Sequence, residues 1–349
     1  MSSRTFIALA SAVLASVHGA SADILSCADV DCPVTEGTTS ATCTVGDKTF
    51  NSIGLTSLDT DVDRLRGLSW VKAVGARNVS TEERAFDQSF YLGTPDDFDF
   101  EDTGACAVFF TEVSESVRFG DEDPRTSQGT CGQALSDSCV SALTDRARRV
   151  DFNGLRGRRA CERLQQEFND NLDSACSNAA SGSNWSGIRA VALTGDGAPD
   201  EIEDGRNRST NCWPVLPKSD DLTLVDSVST TGNYDASTLT DNFFGITPIL
   251  TVWYPSNDDD NDDGDDTDSD NLVTETVAQL TCLKAMDLTT ASNDTQSPGG
   301  GNGGNGDDDD NDDDDDDDDD DRNAAGRMVG SGSLAIWGGL LSVAMVLLA

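Results

Sequence analysis

The chain has 349 residues, of which 64 are acidic and 23 basic, and its formal charge is −41 at pH 7. This balance argues against nucleic acid as a partner, because phosphate binding depends on clustered lysine and arginine. The single histidine, His18, lies in a segment that we expect to be cleaved. A mature chain without histidine excludes Ser-His-Asp and Cys-His catalytic sites, histidine-ligated zinc and imidazole-bound copper.

Residues 1–22 predict a secretory signal peptide. Arg4 provides a positive start, residues 6–17 form a short apolar run, and residues 20–22 read Ala-Ser-Ala, an Ala-x-Ala cleavage site. We therefore expect cleavage between Ala22 and Asp23, followed by a cysteine-rich ectodomain over residues 23–297.

Most of the ectodomain has the pattern of strands. Short segments rich in β-branched and aromatic residues are separated by Gly, Pro, Asn and Asp, which is typical of antiparallel β structure. They lie at residues 42–50, 68–75, 85–93, 105–113, 187–195, 221–230, 245–255 and 272–285. The last two flank an acidic loop at 257–271 and are predicted to be neighbouring strands.

The middle of the ectodomain, at about 131–176, has a different period. Apolar residues recur there every three or four positions, which predicts an inserted pair of amphipathic helices. The first series is Cys131, Leu135, Cys139 and Leu143; the second is Cys161, Leu164, Phe168, Leu172 and Ala175. The predicted fold class is therefore α+β, predominantly antiparallel β, with a helical insertion and disordered acidic segments.

Ten cysteines, an even number in a chain with a secretory signal, predict five disulfides. If the two helices form an antiparallel hairpin, Cys139 and Cys161 lie near its turn and would pair. No Cys-x-x-Cys motif occurs and no histidine remains, so we predict neither a metal centre nor a cofactor. The cysteines are Cys27, Cys32, Cys43, Cys106, Cys131, Cys139, Cys161, Cys176, Cys212 and Cys282.

Residues 298–349 predict a stalk and a lipid anchor. Residues 298–323 are rich in Gly, Asn and Asp, a composition that stays extended through charge repulsion. The apolar tail at 334–349 would make a helix about 24 Å long, short of the ~30 Å hydrocarbon core. Small residues, a polar spacer and this tail match a glycosylphosphatidylinositol (GPI) attachment signal, with Asn323 as the attachment residue and Ala324 as the second choice. Residues 324–349 would then be removed; the alternative is a short C-terminal membrane helix.

Three further features suggest chemistry. Asp266, Asp268 and Asp270 occupy the first ligand positions of an EF-hand loop, but Val277 replaces its bidentate Glu, which leaves weak association of divalent cations as the hypothesis. Trp70 and Trp253 lie in strand patterns and are predicted to be core, whereas Trp185 and Trp213 are candidates for stacking on sugars. Four sequons predict glycosylation at Asn78, Asn184, Asn207 and Asn293.

The segment "PDEIEDG" at 199–205 resembles the "EIDxE" signature of fungal cell-wall glucan and chitin transglycosylases. That resemblance implies paired carboxylates in one cleft, carried here by Glu201 and Glu203. The sequence departs from the signature, because Glu203 stands where Asp is expected and Gly205 where the second Glu belongs. An acidic loop is the other interpretation of this segment.

The whole plan, with a signal peptide, a cysteine-rich domain, a low-complexity stalk and a GPI signal, resembles GPI-anchored cell-surface proteins of filamentous ascomycete fungi. The resemblance implies a location on the extracellular face of the plasma membrane or in the cell wall. It implies a membrane partner through the lipid, and cell-wall polysaccharide or divalent cations as further partners. We expect a non-enzymatic surface protein; the alternative is a wall-polysaccharide-modifying enzyme that uses paired carboxylates.

Overall fold

The computed structural model describes residues 23–30, 32, 43–45, 48–100, 102–202, 212–256 and 271–287. The predicted signal peptide, the stalk, the anchor signal and residues 257–270 of the acidic loop lie outside these residues. Glu203, Asn207, Asn293 and Asn323 lie outside them as well.

Within the described residues, ten strands, numbered in chain order, build two four-stranded antiparallel sheets and one small hairpin. The first sheet has the order β3-β4-β5-β8, the second has the order β10-β9-β6-β7, and β1 pairs with β2. The strands are β1 (Cys43–Val45), β2 (Lys48–Phe50), β3 (Ser52–Ser57), β4 (Ser69–Asn78), β5 (Glu83–Thr94), β6 (Thr103–Glu112), β7 (Ser186–Ala192), β8 (Asp221–Asn233), β9 (Thr247–Pro255) and β10 (Val277–Leu283).

The predicted class, mostly antiparallel β with a helical insertion, is confirmed. The strands on either side of the acidic loop are neighbours as predicted, since β9 and β10 pair from Trp253 opposite Val277 to Thr247 opposite Leu283. Antiparallel strands that neighbour each other can be joined directly by a loop, without a crossover connection.

Aromatic residues join the two sheets face to face. The Trp70 and Phe109 rings meet edge to face at 5.7 Å between centroids, and the Phe90 ring lies 4.9 Å from Phe109. Trp70 Nε1 also donates a hydrogen bond to Thr251 Oγ1 at 3.0 Å, which satisfies its polar group inside the core. Trp70 and Trp253 are both fully buried, as predicted.

The helical insertion is divided differently from the prediction. The helices are α1 (Cys131–Leu135), α2 (Asp137–Arg148) and α3 (Gly157–Asp170), and α4 (Ala236–Phe244) follows later in the chain. The first predicted helix breaks at Ser136, which has a φ of 82° and whose Oγ accepts a hydrogen bond from the Cys139 N–H at 3.3 Å. A serine in this position caps a new helix, so α2 begins as a separate helix. Among the described residues, no helix is both long and apolar enough to span a membrane.

All ten cysteines form disulfides, as predicted, but the proposed Cys139–Cys161 pair is wrong. Helix α2 packs against β9 and β10, whereas α3 packs against β6 and β7, so the two helices do not form the close hairpin that this pair requires. Helix α3 ends at Asp170, and a 3₁₀ turn at Ser174–Cys176 brings Cys176 back to α2. The pairs are Cys27–Cys43, Cys32–Cys212, Cys106–Cys161, Cys131–Cys282 and Cys139–Cys176.

Lys72 of β4 is buried between the sheets, with only 2% of its surface exposed. Its Nζ donates to the Gly245 carbonyl oxygen at 2.8 Å and to Thr247 Oγ1 at 3.0 Å. Burial, with a smaller contribution from the charge of Lys284, lowers the pKa of Lys72 from 10.5 to about 7. The folded protein therefore favours the neutral amine, which avoids an unpaired charge in the core.

This burial predicts that the protein becomes more stable as the pH rises from 7 toward 10.5. Over that window the unfolded chain binds a proton at Lys72 that the folded chain does not, so raising the pH removes a cost of folding. Between pH 7 and about pH 9.5 the free energy of unfolding should increase by roughly 3 kcal/mol through Lys72 alone. Urea unfolding at both pH values measures the difference.

The Lys72→Met variant should lose most of this increase, while Lys48→Met, at a partly exposed lysine of β2, should keep it. The comparison uses the slope with pH rather than the absolute stability, so any cavity or packing change in the variant cancels. An unchanged slope in Lys72→Met would contradict the assignment.

Candidate functional site

A cleft of about 370 Å³ lies beside β8, which is an edge strand of the first sheet. The segment that follows β7, an edge strand of the second sheet, forms another wall of this cleft. We call it the edge cleft. Its lining includes Thr94, Phe98, Asp99, Phe100, Glu201, Thr223 and Val225. Its volume is within the range of small-ligand sites.

Backbone pairing positions one wall of the edge cleft. Glu201 forms an isolated antiparallel bridge with Thr223 of β8, and the Ile202 N–H donates to the Leu222 carbonyl at 2.9 Å. In β8 the register with β5 shifts, and Val225 is the extra residue of a β-bulge. Bulges redirect side chains and are frequent beside binding and active sites.

Aromatic side chains contribute to the same cleft. Phe98 and Phe100 are partly exposed and form an edge-to-face pair with 4.9 Å between ring centroids. The tryptophans proposed for sugar stacking do not contribute, since Trp185 and Trp213 are only 6% and 4% exposed. Trp185 packs against Phe110. The stacking hypothesis was wrong for both, because each indole belongs to the hydrophobic core.

An ion pair connects the edge strands of the two sheets next to the edge cleft. Arg189 Nη2 of β7 lies 2.6 Å from Asp226 Oδ1 of β8, and the Asp226 side chain is only 4% exposed. Burial raises the pKa of the Asp226 carboxyl, against the opposing effect of the Arg189 charge. No hydrogen-bond partner is present for Asp226 Oδ2 in the described part of the chain. A buried carboxyl with a raised pKa beside a cleft is a recognised feature of functional sites.

A second cleft, of about 480 Å³, lies where the end of α2 meets α3. Arg146, Arg149 and Arg163 line it. The guanidinium of Arg146 lies 3.5 Å from Asp173, and that of Arg163 lies 3.4 Å from Glu167. Because carboxylates of the chain already face two of the three arginines, an anion would have to compete with them. The edge cleft is therefore the stronger candidate site.

The sulfur atoms of Cys27, Cys32 and Cys43 lie within 4.8 Å of one another, a spacing that free thiolates could use to bind a metal. All three are in disulfides, with Cys43 bound to Cys27 and Cys212 bound to Cys32. A disulfide sulfur is not the thiolate ligand that zinc requires. This cluster therefore supports a structural role.

The predicted site residues are distributed as follows. Glu201 is an exposed acidic residue, and it lines the edge cleft. Asn78 and Asn184 are exposed, as glycosylation requires. The calcium-loop aspartates at 266, 268 and 270 lie outside the described residues.

Comparison of the chain with protein-family models, with curated proteins and with solved structures found no match.

Proposed function

We propose that the protein is a GPI-anchored, glycosylated, non-enzymatic cell-surface or cell-wall protein that displays a β-sandwich domain on an acidic stalk. The observation that carries the proposal is the pairing of all ten cysteines in five disulfides. Such density is typical of proteins that fold in the oxidising secretory pathway. The two terminal signals and the exposed sequon residues Asn78 and Asn184 support the same compartment.

In this proposal the sandwich is the part that meets other molecules, and the edge cleft is its contact site for wall polymers. The disulfides and the buried core hold the cleft walls in place, which suits a domain exposed to a variable external environment. The aspartate-rich stalk keeps the domain away from the lipid through charge repulsion.

A wall-polysaccharide-modifying enzyme is the second candidate, and one observation favours it. Asp226 follows Val225, which lines the edge cleft with Glu201, and burial raises the pKa of the Asp226 carboxyl. Two carboxyl groups with different environments are the pattern of an acid and a base in a glycosidase. A general acid, however, must reach the glycosidic oxygen, and Asp226 is buried and paired with Arg189. We therefore favour binding without catalysis.

The anchor predicts that phosphatidylinositol-specific phospholipase C releases the protein from intact cells. We expect release from cells that express the full chain, measured by immunoblotting of the supernatant, because the enzyme hydrolyses the phosphoinositol linkage of a GPI anchor and does not cut a protein that is held by a membrane helix. Retention of the protein on treated cells would contradict the proposal.

Substitution at the attachment site provides the matched control. The Asn323→Gln/Ala324→Gln variant removes both small residues and should fail to reach the cell surface. The Asn302→Gln/Asn305→Gln variant makes the same kind of change within the stalk and should be released normally. Equal surface levels for the two variants would contradict attachment at Asn323.

A further inference from the structure

We infer that the edge cleft binds an oligosaccharide of pyranose rings, through stacking on its phenylalanines and hydrogen bonds from its threonines and carboxylates. The inference deepens the proposed function and rests on it, because a domain displayed at the surface is the one that encounters wall polysaccharide. Its chemistry is argued from the cleft alone.

The lining of the edge cleft combines an apolar surface with hydroxyl groups. Phe98 and Phe100 provide aromatic surface, and Pro199 adds an aliphatic one. Thr94 and Thr223, each of which has a hydroxyl group, line the same cavity. A pyranose ring has the complementary pattern, with an apolar face of C–H groups and a rim of hydroxyls, and aromatic rings provide a flat surface for such a face.

The charge of the edge cleft restricts the class of saccharide. Asp99 and Glu201 are acidic, and the described residues that line the cleft include no lysine or arginine. Carboxylates accept hydrogen bonds from sugar hydroxyls, and they repel uronic acids and phosphorylated sugars. The net charge of −41 over the whole chain adds to this repulsion. The ligand is therefore an uncharged or amine-bearing pyranose oligomer.

Hydrogen bonds to the sheets hold the walls of the edge cleft. The Ala105 N–H donates to Thr194 Oγ1 at 2.8 Å, and the Leu193 N–H donates to the Ala105 carbonyl at 2.9 Å, which attach the segment after β7 to β6. The Arg189–Asp226 pair connects the two edge strands. A cleft built in this way loses little conformational freedom when a ligand binds.

The test is a calorimetric titration of the full chain, extracted in detergent, with hexasaccharides of β-1,3-glucan, chitin and chitosan. The wild type should bind at least one of them. Phe98→Ala should weaken that binding about tenfold, or about 1.4 kcal/mol, because it removes a stacked aromatic contact. Glu201→Gln should weaken binding of chitosan the most and make it less dependent on salt, because it removes a carboxylate that faces the ammonium groups.

Val79→Ala is the matched control, since Val79 is 50% exposed and does not line the edge cleft. It should bind like the wild type. Glu201 is exposed, so its conservative variant keeps the fold even if Phe98→Ala loses stability, and thermal unfolding of each variant checks this. Absence of binding by the wild type to all three sugars, or equal affinity in the wild type and both cleft variants, would overturn the inference.

The same titrated samples separate failure of this inference from failure of the proposed function. Detergent extraction makes binding independent of the anchor, so the result holds whether or not phospholipase releases the protein. Mass analysis of the sugars after incubation should find only the starting hexasaccharides. Bound sugar with new product sizes would support the site and contradict the non-enzymatic function.

Discussion

Phe109→Ala is expected to lower the free energy of unfolding by about 3–5 kcal/mol, as for other large aromatic residues removed from a core. Phe109 is fully buried in β6 and contacts Trp70 and Phe90, which belong to the opposite sheet. Its removal leaves a cavity at the centre of the sandwich, where both sheets would have to move to fill it. Urea unfolding of the purified protein measures the loss.

Phe98→Ala offers a matched comparison for this prediction because it removes the same side chain from a partly exposed position. Its loss should be clearly smaller than that of Phe109→Ala, since less apolar surface leaves the interior. Similar losses for the two variants would contradict the packing of the two sheets around Phe109.

The Cys106→Ala/Cys161→Ala variant is expected to lose about 4 kcal/mol of stability. The disulfide joins β6 to α3 across a sequence separation of 55 residues, and both cysteines are buried. Removing the bond restores conformational freedom to the unfolded chain, by an amount that grows with the length of the closed loop. Thermal and urea unfolding of the double variant under oxidising conditions measure the effect.

Disulfide mapping of the wild type is the control for this interpretation. Proteolysis without reduction should produce a peptide pair joining Cys106 to Cys161 and another joining Cys139 to Cys176. A pair joining Cys139 to Cys161 would contradict the placement of α2 and α3 on different strands.

Local patterns in the sequence predict much of this fold. The aromatic content of residues 85–93 and 105–113 corresponds to β5 and β6, and the spacing of Cys161, Leu164 and Phe168 corresponds to the buried face of α3. Both signals are local, because composition and apolar spacing within a short window of residues are enough to indicate a strand or a helix.

Elements that depend on distant contacts were not predicted. Strand β3 has a glycine at its centre and weak alternation, yet Gly54 is required because a Cβ there would lie 1.8 Å from the Lys284 carbonyl oxygen. Helix α4 has two Thr and one Asn among its nine residues, which favour helices weakly. The Asp235 side chain caps it by accepting from the Thr238 N–H at 2.9 Å. The aspartate three residues before Thr238 was a usable signal for that helix.

The disulfide pairs and the edge cleft required the tertiary structure. Cys176 meets Cys139 only because α3 ends at Asp170, whereas the apolar period continues to Ala175. The edge cleft brings Phe98, Glu201 and Thr223 together. Phe98 and Thr223 are more than a hundred residues apart in the sequence. Of these three residues, only Glu201 is a candidate from the sequence. The residues next to it in the sequence do not predict that it lies near Phe98.

The mass of the C-terminal peptide of the mature protein tests the proposed surface display most directly. Protein extracted in detergent from the membranes of expressing cells can be digested and its last peptide identified by mass spectrometry. We predict a peptide that ends at Asn323 and carries the glycan and ethanolamine phosphate of a GPI anchor. A C-terminal peptide that still contains residues 334–349 would contradict the account.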